Sequence, residues 1–156
     1  YYLYRKNAAG KYVIIAKPKG NVNSYVDTNL VSGTVYSYKV KAYRTVSGKK
    51  HKSAKSKAVT IKPIPSKVKK PTVTKQGKTL KVTWKKVAGA SGYVIYRSTA
   101  AKGPFTRIAV KSANNVNCVD KNVQDKKTYF YKVAAYRTVG NKKIYGKKST
   151  KRKIIN

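Results

Sequence analysis

An alternating run of apolar and polar side chains marks the best-defined element of the chain, residues 36–46. If the run is extended, Tyr36, Tyr38, Val40 and Ala42 lie on one face, and serine and lysine side chains lie on the other. Because successive side chains of a strand point to opposite faces, this period of two predicts a half-buried β-strand and not a helix. Tyrosine and valine also suit a pleated surface.

The same pattern returns 93 residues later, at Tyr129–Val139, so the chain is a tandem repeat. Each copy is followed by a turn signal, Ser47–Lys50 in the first and Gly140–Lys143 in the second. Glycine and asparagine tolerate the positive φ that tight hairpin turns require. We therefore expect each long strand to fold back on a successor, near residues 51–60 and 144–154.

A second feature is matched between the copies upstream of each long strand. Leu30 precedes Tyr36 by six residues, and Val123 precedes Tyr129 by six. An apolar residue, a polar turn and a tyrosine that opens a strand are typical of a tyrosine corner, in which the hydroxyl group bonds upstream backbone. We assign Leu30, Tyr36, Val123, Tyr129 and the single tryptophan, Trp84, to the structural core.

With Trp84 on an early strand, Thr79–Trp84, the chain resembles fibronectin type III modules. The segments Gly92–Ser98, Gly103–Phe105 and Ala135–Val139 resemble, more narrowly, the modules found in arrays on secreted and surface proteins of Gram-positive bacteria. The resemblance covers nearly the whole chain and implies an all-β fold, an immunoglobulin-like β-sandwich. It implies little about function, because such sandwiches host many roles.

The repeat divides the chain into two modules. Residues 1–62 form a partial fibronectin type III module with strands C to G, because they contain no counterpart of Pro71–Gly92, the two opening strands. We expect those strands to lie upstream in a longer protein. Residues 63–70 are predicted to be an extended proline- and lysine-rich linker. Residues 71–156 are predicted to be a complete module whose last strand is Lys143–Ile155.

The charge of the chain is extreme: 38 lysines and arginines face 3 acidic residues, for a formal charge of +35. Such a surface repels itself and attracts polyanions. One interpretation of the charge is general: it keeps the chain soluble or adapts it to anionic surroundings, which the spread of lysines along the whole chain favours. The other is specific binding of a polyanion. For the second role the candidates are the lysine pairs at and after the matching hairpin turns: Lys49, Lys50, Lys142, Lys143, Lys147 and Lys148.

Residues with catalytic or metal-binding chemistry are too few to form a site. Asp27 and Asp120 are repeat equivalents in separate modules, and we expect each to bond local backbone N–H groups. With Asp125 they are the only carboxylates. His51 is expected to be an ordinary strand residue and Cys118 a small core side chain. We predict no enzymatic activity, no catalytic residue, no cofactor and no metal site.

The function predicted is a spacer and interaction module of a secreted or cell-wall-associated protein, with neighbouring modules and anionic wall polymers as weak partners. One alternative is a carbohydrate-binding accessory module of an extracellular hydrolase, with Tyr43, Tyr136 and Tyr96 as candidate contacts. The other is a polyanion or nucleic-acid binder. Specific nucleic-acid binding is disfavoured because arginine, the usual reader of bases, is scarce. No apolar run approaches the roughly 18 residues of a transmembrane helix.

Overall fold

The computed structural model describes residues 1–156, and all of its regular secondary structure is β-strand. The chain divides into two compact units, Tyr1–Pro63 and Ile64–Asn156. Each unit has its own sheets, and no strand pairing joins one unit to the other. The chain has no helix with the length and hydropathy to cross a bilayer.

The second unit is a sandwich of two antiparallel sheets. Its strands are β7 (Thr72–Gln76), β8 (Thr79–Thr83), β9 (Gly92–Ser98), β10 (Thr106–Ser112), β11 (Asn117–Asp120), β12 (Thr128–Val139), β13 (Lys142–Tyr145) and β14 (Arg152–Ile155). One sheet has the order β11-β8-β7. The other has the order β10-β9-β12-β13, with β14 also paired to β12.

The core of the second unit lies between these two sheets. Leu80 and Val82 of β8 and Val133 of β12 are 0% exposed, and Trp84 is 6% exposed. The alternation along β12 continues to Ala135, which is also fully buried. The apolar face predicted from the period of two therefore packs against the opening strands of the same module.

The first unit has one sheet of four strands and one separate hairpin. Its strands are β1 (Tyr2–Lys6), β2 (Tyr12–Ala16), β3 (Tyr36–Lys41), β4 (Tyr43–Val46), β5 (Lys49–Lys52) and β6 (Val59–Ile61). The sheet order is β2-β1-β3-β6, and β4 pairs with β5. No strands correspond to β7 and β8, so the first module lacks the opposing sheet.

The missing sheet leaves apolar side chains of the first unit open to solvent. Val40 of β3 is 41% exposed, whereas its repeat equivalent Val133 is fully buried. Tyr25 is 48% exposed, whereas its equivalent Cys118 is 5% exposed. Cys118 lies on β11, which pairs with β8. The segment around Tyr25 has no such partner strand and forms no strand itself.

The predicted last strand, Lys143–Ile155, is two strands, Lys142–Tyr145 and Arg152–Ile155. Between them Ser149 interrupts the ladder with β12. The Ser149 N–H donates to the Val133 carbonyl (2.8 Å), and its Oγ accepts from the Val133 N–H (3.0 Å). A side chain thus takes the place of a backbone partner. Hydrogen bonding of this kind is not visible in the apolar pattern.

The segment expected to be a linker, residues 63–70, packs mostly on the second unit. Val68 is 1% exposed and belongs to the core cluster, and Pro65 is also buried. A Cβ atom added at Gly146 would lie 2.5 Å from the Pro65 carbonyl oxygen, so the two backbones are in close contact there. Pro65 and Val68 anchor this segment to the module that follows it.

Candidate anion-binding surface

All three carboxylates of the chain are held in ion pairs. Asp27 pairs with an arginine in the first unit, and Asp120 and Asp125 pair with cations in the second. A hydrogen bond from Lys75 (3.0 Å) to the exposed Asp125 lowers the pKa of that carboxyl group. Every other lysine and arginine is free of an acidic partner. The positive charge of the surface is therefore almost uncompensated.

The Asp120 pair is the centre of a buried polar network. Arg97 Nη1 donates to both carboxylate oxygens (3.0 and 2.9 Å), and the Tyr131 hydroxyl donates to Oδ2 (2.7 Å). Asp120 is 6% exposed and Tyr131 is fully buried. Burial, followed by the hydrogen bond to Asp120, raises the pKa of Tyr131 above its ordinary value. The network joins β9, β11 and β12 across the two sheets.

The first unit contains the same network in a more exposed setting. Arg5 Nη1 donates to Asp27 Oδ2 (2.8 Å), and the Tyr38 hydroxyl donates to the same oxygen (2.7 Å). Burial and the bond to Asp27 raise the pKa of Tyr38 to about 12. The expected bond to local backbone is present at Asp120, which accepts a hydrogen bond from the Asn122 N–H (3.1 Å). At Asp27 the hydrogen-bond partners are instead the side chains of Arg5 and Tyr38.

Both tyrosine corners have the expected geometry. The Tyr36 hydroxyl accepts a hydrogen bond from the Val31 N–H (2.9 Å), and the Tyr129 hydroxyl accepts one from the Gln124 N–H (2.8 Å). Each bond spans five residues. Leu30 and Tyr36, which the sequence assigns to the structural core, are only half-buried in the first unit. Val123 packs on the core of the second unit.

Lysine and arginine side chains lie over aromatic rings at positions that recur in the repeat. The nitrogen or guanidinium carbon lies 4.1–5.7 Å from the ring centroid in these recurring pairs. The equivalent pairs are Lys39–Tyr12 with Lys132–Phe105, Lys50–Tyr43 with Lys143–Tyr136, Lys55–Tyr4 with Lys148–Tyr96, and Arg5–Tyr36 with Arg97–Tyr129. A cation over a ring is attracted by the negative face of the aromatic system. Each of these basic side chains therefore has a structural contact as well as a charge.

The six lysines predicted to bind polyanions are all exposed and are divided between the two units. Lys49 and Lys50 lie on β5 of the first unit, and the other four lie in the second. Lys143 is over the Tyr136 ring (4.7 Å) and Lys148 over the Tyr96 ring (4.1 Å). Lys148 is the member that also lines a depression in the second unit.

That depression gathers lysines that the sequence places far apart. Its volume is about 780 Å³, and it is open to solvent. No acidic residue lines it. Its basic residues come from four segments of the second unit and are Lys67, Lys70, Lys102, Lys132, Lys148 and Lys151. Only Lys148 is among the lysines that the sequence predicts to bind polyanions. That prediction used pairs of adjacent lysines, whereas the fold assembles the depression from distant segments.

The tyrosines considered for sugar binding are engaged with their neighbours. Tyr136 is 8% exposed and packs against Tyr145 in a tilted arrangement, with 5.9 Å between the ring centroids. Tyr43 stacks with Tyr2 at 4.8 Å. Tyr96 is half-buried beneath Lys148. None of the three presents a bare ring face of the kind on which a sugar stacks.

The two remaining reactive side chains lie in ordinary positions. His51 is exposed on β5, opposite Arg44 in the hairpin. Cys118 is buried in the core of the second unit and forms no disulfide. Burial raises the pKa of the Cys118 thiol, which favours its unreactive protonated form.

No family model matches the chain. An amylopullulanase from Thermoanaerobacter thermohydrosulfuricus is 43% identical over 51 residues, which are 33% of this chain. The chain spans about 4% of the length of that curated relative.

Among solved structures, a Fn3-like protein from Clostridium thermocellum is 26% identical, with a TM-score of 0.51 over 58% of this chain and 92% of that one. A segment of two fibronectin type III domains from chicken tenascin is 12% identical, with a TM-score of 0.60 over 99% of this chain and 82% of that one. The chain thus has the fold of a tandem of fibronectin type III modules. The predicted immunoglobulin-like sandwich, with a first module that lacks its two N-terminal strands, is confirmed.

Proposed function

We propose that the chain is a non-catalytic spacer and interaction segment of a secreted or cell-wall-associated bacterial protein. Its lysines bind anionic wall polymers weakly and at many points. The observation that carries this proposal is the charge balance: all three carboxylates are engaged in ion pairs, so the remaining cations are available to an external polyanion.

The nature of the cations supports weak and distributed binding. Lysine ammonium groups are compact, strongly hydrated charges, and exposed ones interact with a phosphate mainly through screened Coulomb attraction. Each contact contributes little, and a polymer that makes many of them releases many counterions. Affinity then rises steeply as salt is lowered. A segment with this property holds a protein near an anionic wall without fixing its position.

A second candidate is an accessory module of an extracellular hydrolase. It is supported by the 51-residue similarity to an amylopullulanase. In that setting the segment would serve as a spacer beside a catalytic domain. Direct stacking on neutral sugars is not favoured, because Tyr43, Tyr96 and Tyr136 are covered by lysines or neighbouring tyrosines.

The proposal is tested by retention of the 156-residue chain on purified Gram-positive cell walls, with and without teichoic acid, across a salt series. We expect retention that requires teichoic acid and is lost as salt rises through the physiological range. Retention that is independent of both would favour a sugar ligand. No retention at low salt would refute the wall-binding role and leave a spacer.

A further inference from the structure

We infer that the six-lysine depression of the second unit is a discrete binding site for a linear polymer of closely spaced phosphates. The inference rests on the proposed function for the class of polymer, an anionic wall polymer, and adds the place on the molecule where it binds. The site lies entirely within the unit Ile64–Asn156.

All the charged side chains that line the depression are positive. Lysines from the β7 approach, the β9–β10 loop, β12 and the β13–β14 connection line the same depression, and no acidic side chain lines it. The three carboxylates of the chain pair with Arg5, Arg97 and Lys75, none of which belongs to the depression. A surface patch lined by one sign of charge raises the local concentration of ions of the opposite sign. A bound polyanion would relieve the mutual repulsion of these lysines.

Three of the six lysines of the depression are held in place by contacts with aromatic rings. Lys132 Nζ lies 4.2 Å from the Phe105 ring centroid. Lys148 is held in the same way over Tyr96. Lys151 Nζ donates to the Ala101 carbonyl (2.9 Å) and lies 5.6 Å from the Phe130 ring centroid. Prepositioned groups lose less side-chain entropy when a ligand binds, which increases affinity.

The segment that carries Lys67 and Lys70 is anchored as well. Val68 lies between these two lysines in the sequence, and its side chain is 1% exposed in the core. The close contact between Pro65 and Gly146 holds the same segment against the β13–β14 connection. Two exposed lysines of the depression therefore stand on a fixed backbone.

The shape favours a chain of phosphates over a single ion. A depression of about 780 Å³ that is open to solvent has room for several phosphate groups and leaves the ends of a polymer free to continue. Tight binding of one phosphate would instead need a small enclosed site with several converging donors.

The first unit serves as an internal comparison. It keeps the equivalents of two of the lysines, Lys39 and Lys55, each over an aromatic ring. Alanines, Ala9 and Ala58, stand where the second unit has Lys102 and Lys151. The recurring lysines are therefore part of the module, and the additional ones convert this surface of the second unit into a site.

The test is titration calorimetry of the full 156-residue chain with a short poly(glycerol phosphate), with inorganic phosphate and oligothymidine as comparison ligands. The site variant is Lys67→Gln/Lys70→Gln/Lys102→Gln, which spares the lysines that pack on aromatic rings. The matched control is Lys85→Gln/Lys127→Gln/Lys153→Gln, three exposed lysines outside the depression that give the same loss of charge.

We expect the site variant to bind the polymer about tenfold more weakly at low salt, with a salt slope smaller by about two, as the loss of three phosphate contacts on a flexible chain predicts. The control should lose less than about threefold, from its general change in charge. Inorganic phosphate at the same phosphate concentration should bind far more weakly than the polymer.

Three results would overturn the inference. Equal losses in the site and control variants would show that charge is sensed diffusely, and wall retention, hence the proposed function, would survive. Equal binding of inorganic phosphate would exclude recognition of a polymer. Tighter binding of oligothymidine of equal charge would reassign the ligand to a nucleic acid, and wall retention would then have to be explained without this site.

Discussion

The two modules of this chain carry the same polar and aromatic contacts on cores of very different completeness. Each has an arginine–aspartate–tyrosine network, a tyrosine corner and lysines over equivalent rings. Val133, however, is fully buried, and its equivalent Val40 is 41% exposed. The contacts within the long strand and its neighbours therefore form without the opposing sheet. The apolar face of the long strand, however, is not buried without that sheet.

The difference shows what each set of contacts contributes. The shared hydrogen bonds and ion pairs tie the sheet of each long strand to the segment that carries the aspartate. The opposing strands exclude water from them, and an electrostatic contact is stronger where water is excluded. The same residues should therefore contribute more to stability in the second module than in the first.

The largest expected effect is at the central carboxylate. Asp120→Asn leaves the partly buried Arg97 without its counter-charge and should lower the free energy of unfolding of the second module by about 2–4 kcal/mol. Asp27→Asn, between more exposed partners, should cost the first module about 1 kcal/mol. Urea unfolding followed by Trp84 fluorescence reports the second module, and amide resonances of β3 report the first. Equal costs would contradict the role assigned to the opposing sheet.

The next-largest effect on the free energy of unfolding is expected when valine is replaced by alanine at the equivalent positions 133 and 40. Val133→Ala should cost about 2–3 kcal/mol through lost burial and a residual cavity, and Val40→Ala less than about 1 kcal/mol. The measurement is the same pair of unfolding curves.

A graft sharpens this comparison. Residues 71–91 placed ahead of Tyr1 should cover the open face of the first module. In that chain, the cost of Val40→Ala should rise toward that of Val133→Ala. If the cost stays low, the exposure of Val40 has a cause other than the missing strands.

The tyrosine corners should show a smaller contrast. Tyr129→Phe removes the acceptor of the Gln124 N–H and should cost about 1–2 kcal/mol, while Tyr36→Phe should cost about 0.5 kcal/mol because water can replace the hydroxyl at a more exposed corner. Hydrogen exchange of the Gln124 and Val31 amides checks each bond directly. Unchanged protection of Gln124 in Tyr129→Phe would show that the hydroxyl is dispensable.

The smallest effect appears at alkaline pH. The raised pKa of Tyr131 means that its contribution to stability is complete below the ordinary tyrosine pKa of about 10 and is lost as pH rises above that value. Relative to Tyr131→Phe, the unsubstituted chain should lose about 1 kcal/mol between pH 10 and 11. For Tyr38 the loss should end near pH 12, where its own pKa lies. A constant difference from Tyr131→Phe across this range would contradict the assignment.

The sequence was sufficient for contacts whose partners are close along the chain or follow a period. The repeat, the long strand and the tyrosine corners are of this kind, since a corner joins residues five positions apart. The Arg97–Asp120 pair joins residues 23 positions apart on different sheets, and local turn chemistry accounts only for the bond that the aspartate accepts from the Asn122 N–H. The lysine depression likewise depends on tertiary packing, so adjacent lysine pairs were a poor guide to it.

The engagement of every aspartate in an ion pair has a consequence for how the protein responds to its surroundings. Histidine is the side chain that ordinarily changes charge near neutral pH, and the chain has one. Acidification of the medium therefore changes little in the positive charge available for the proposed attachment to a wall polymer. Ionic strength can, because it screens exposed charges directly. In a wall, the molecule would bind more tightly when the surrounding fluid is diluted and more weakly when its salt concentration rises.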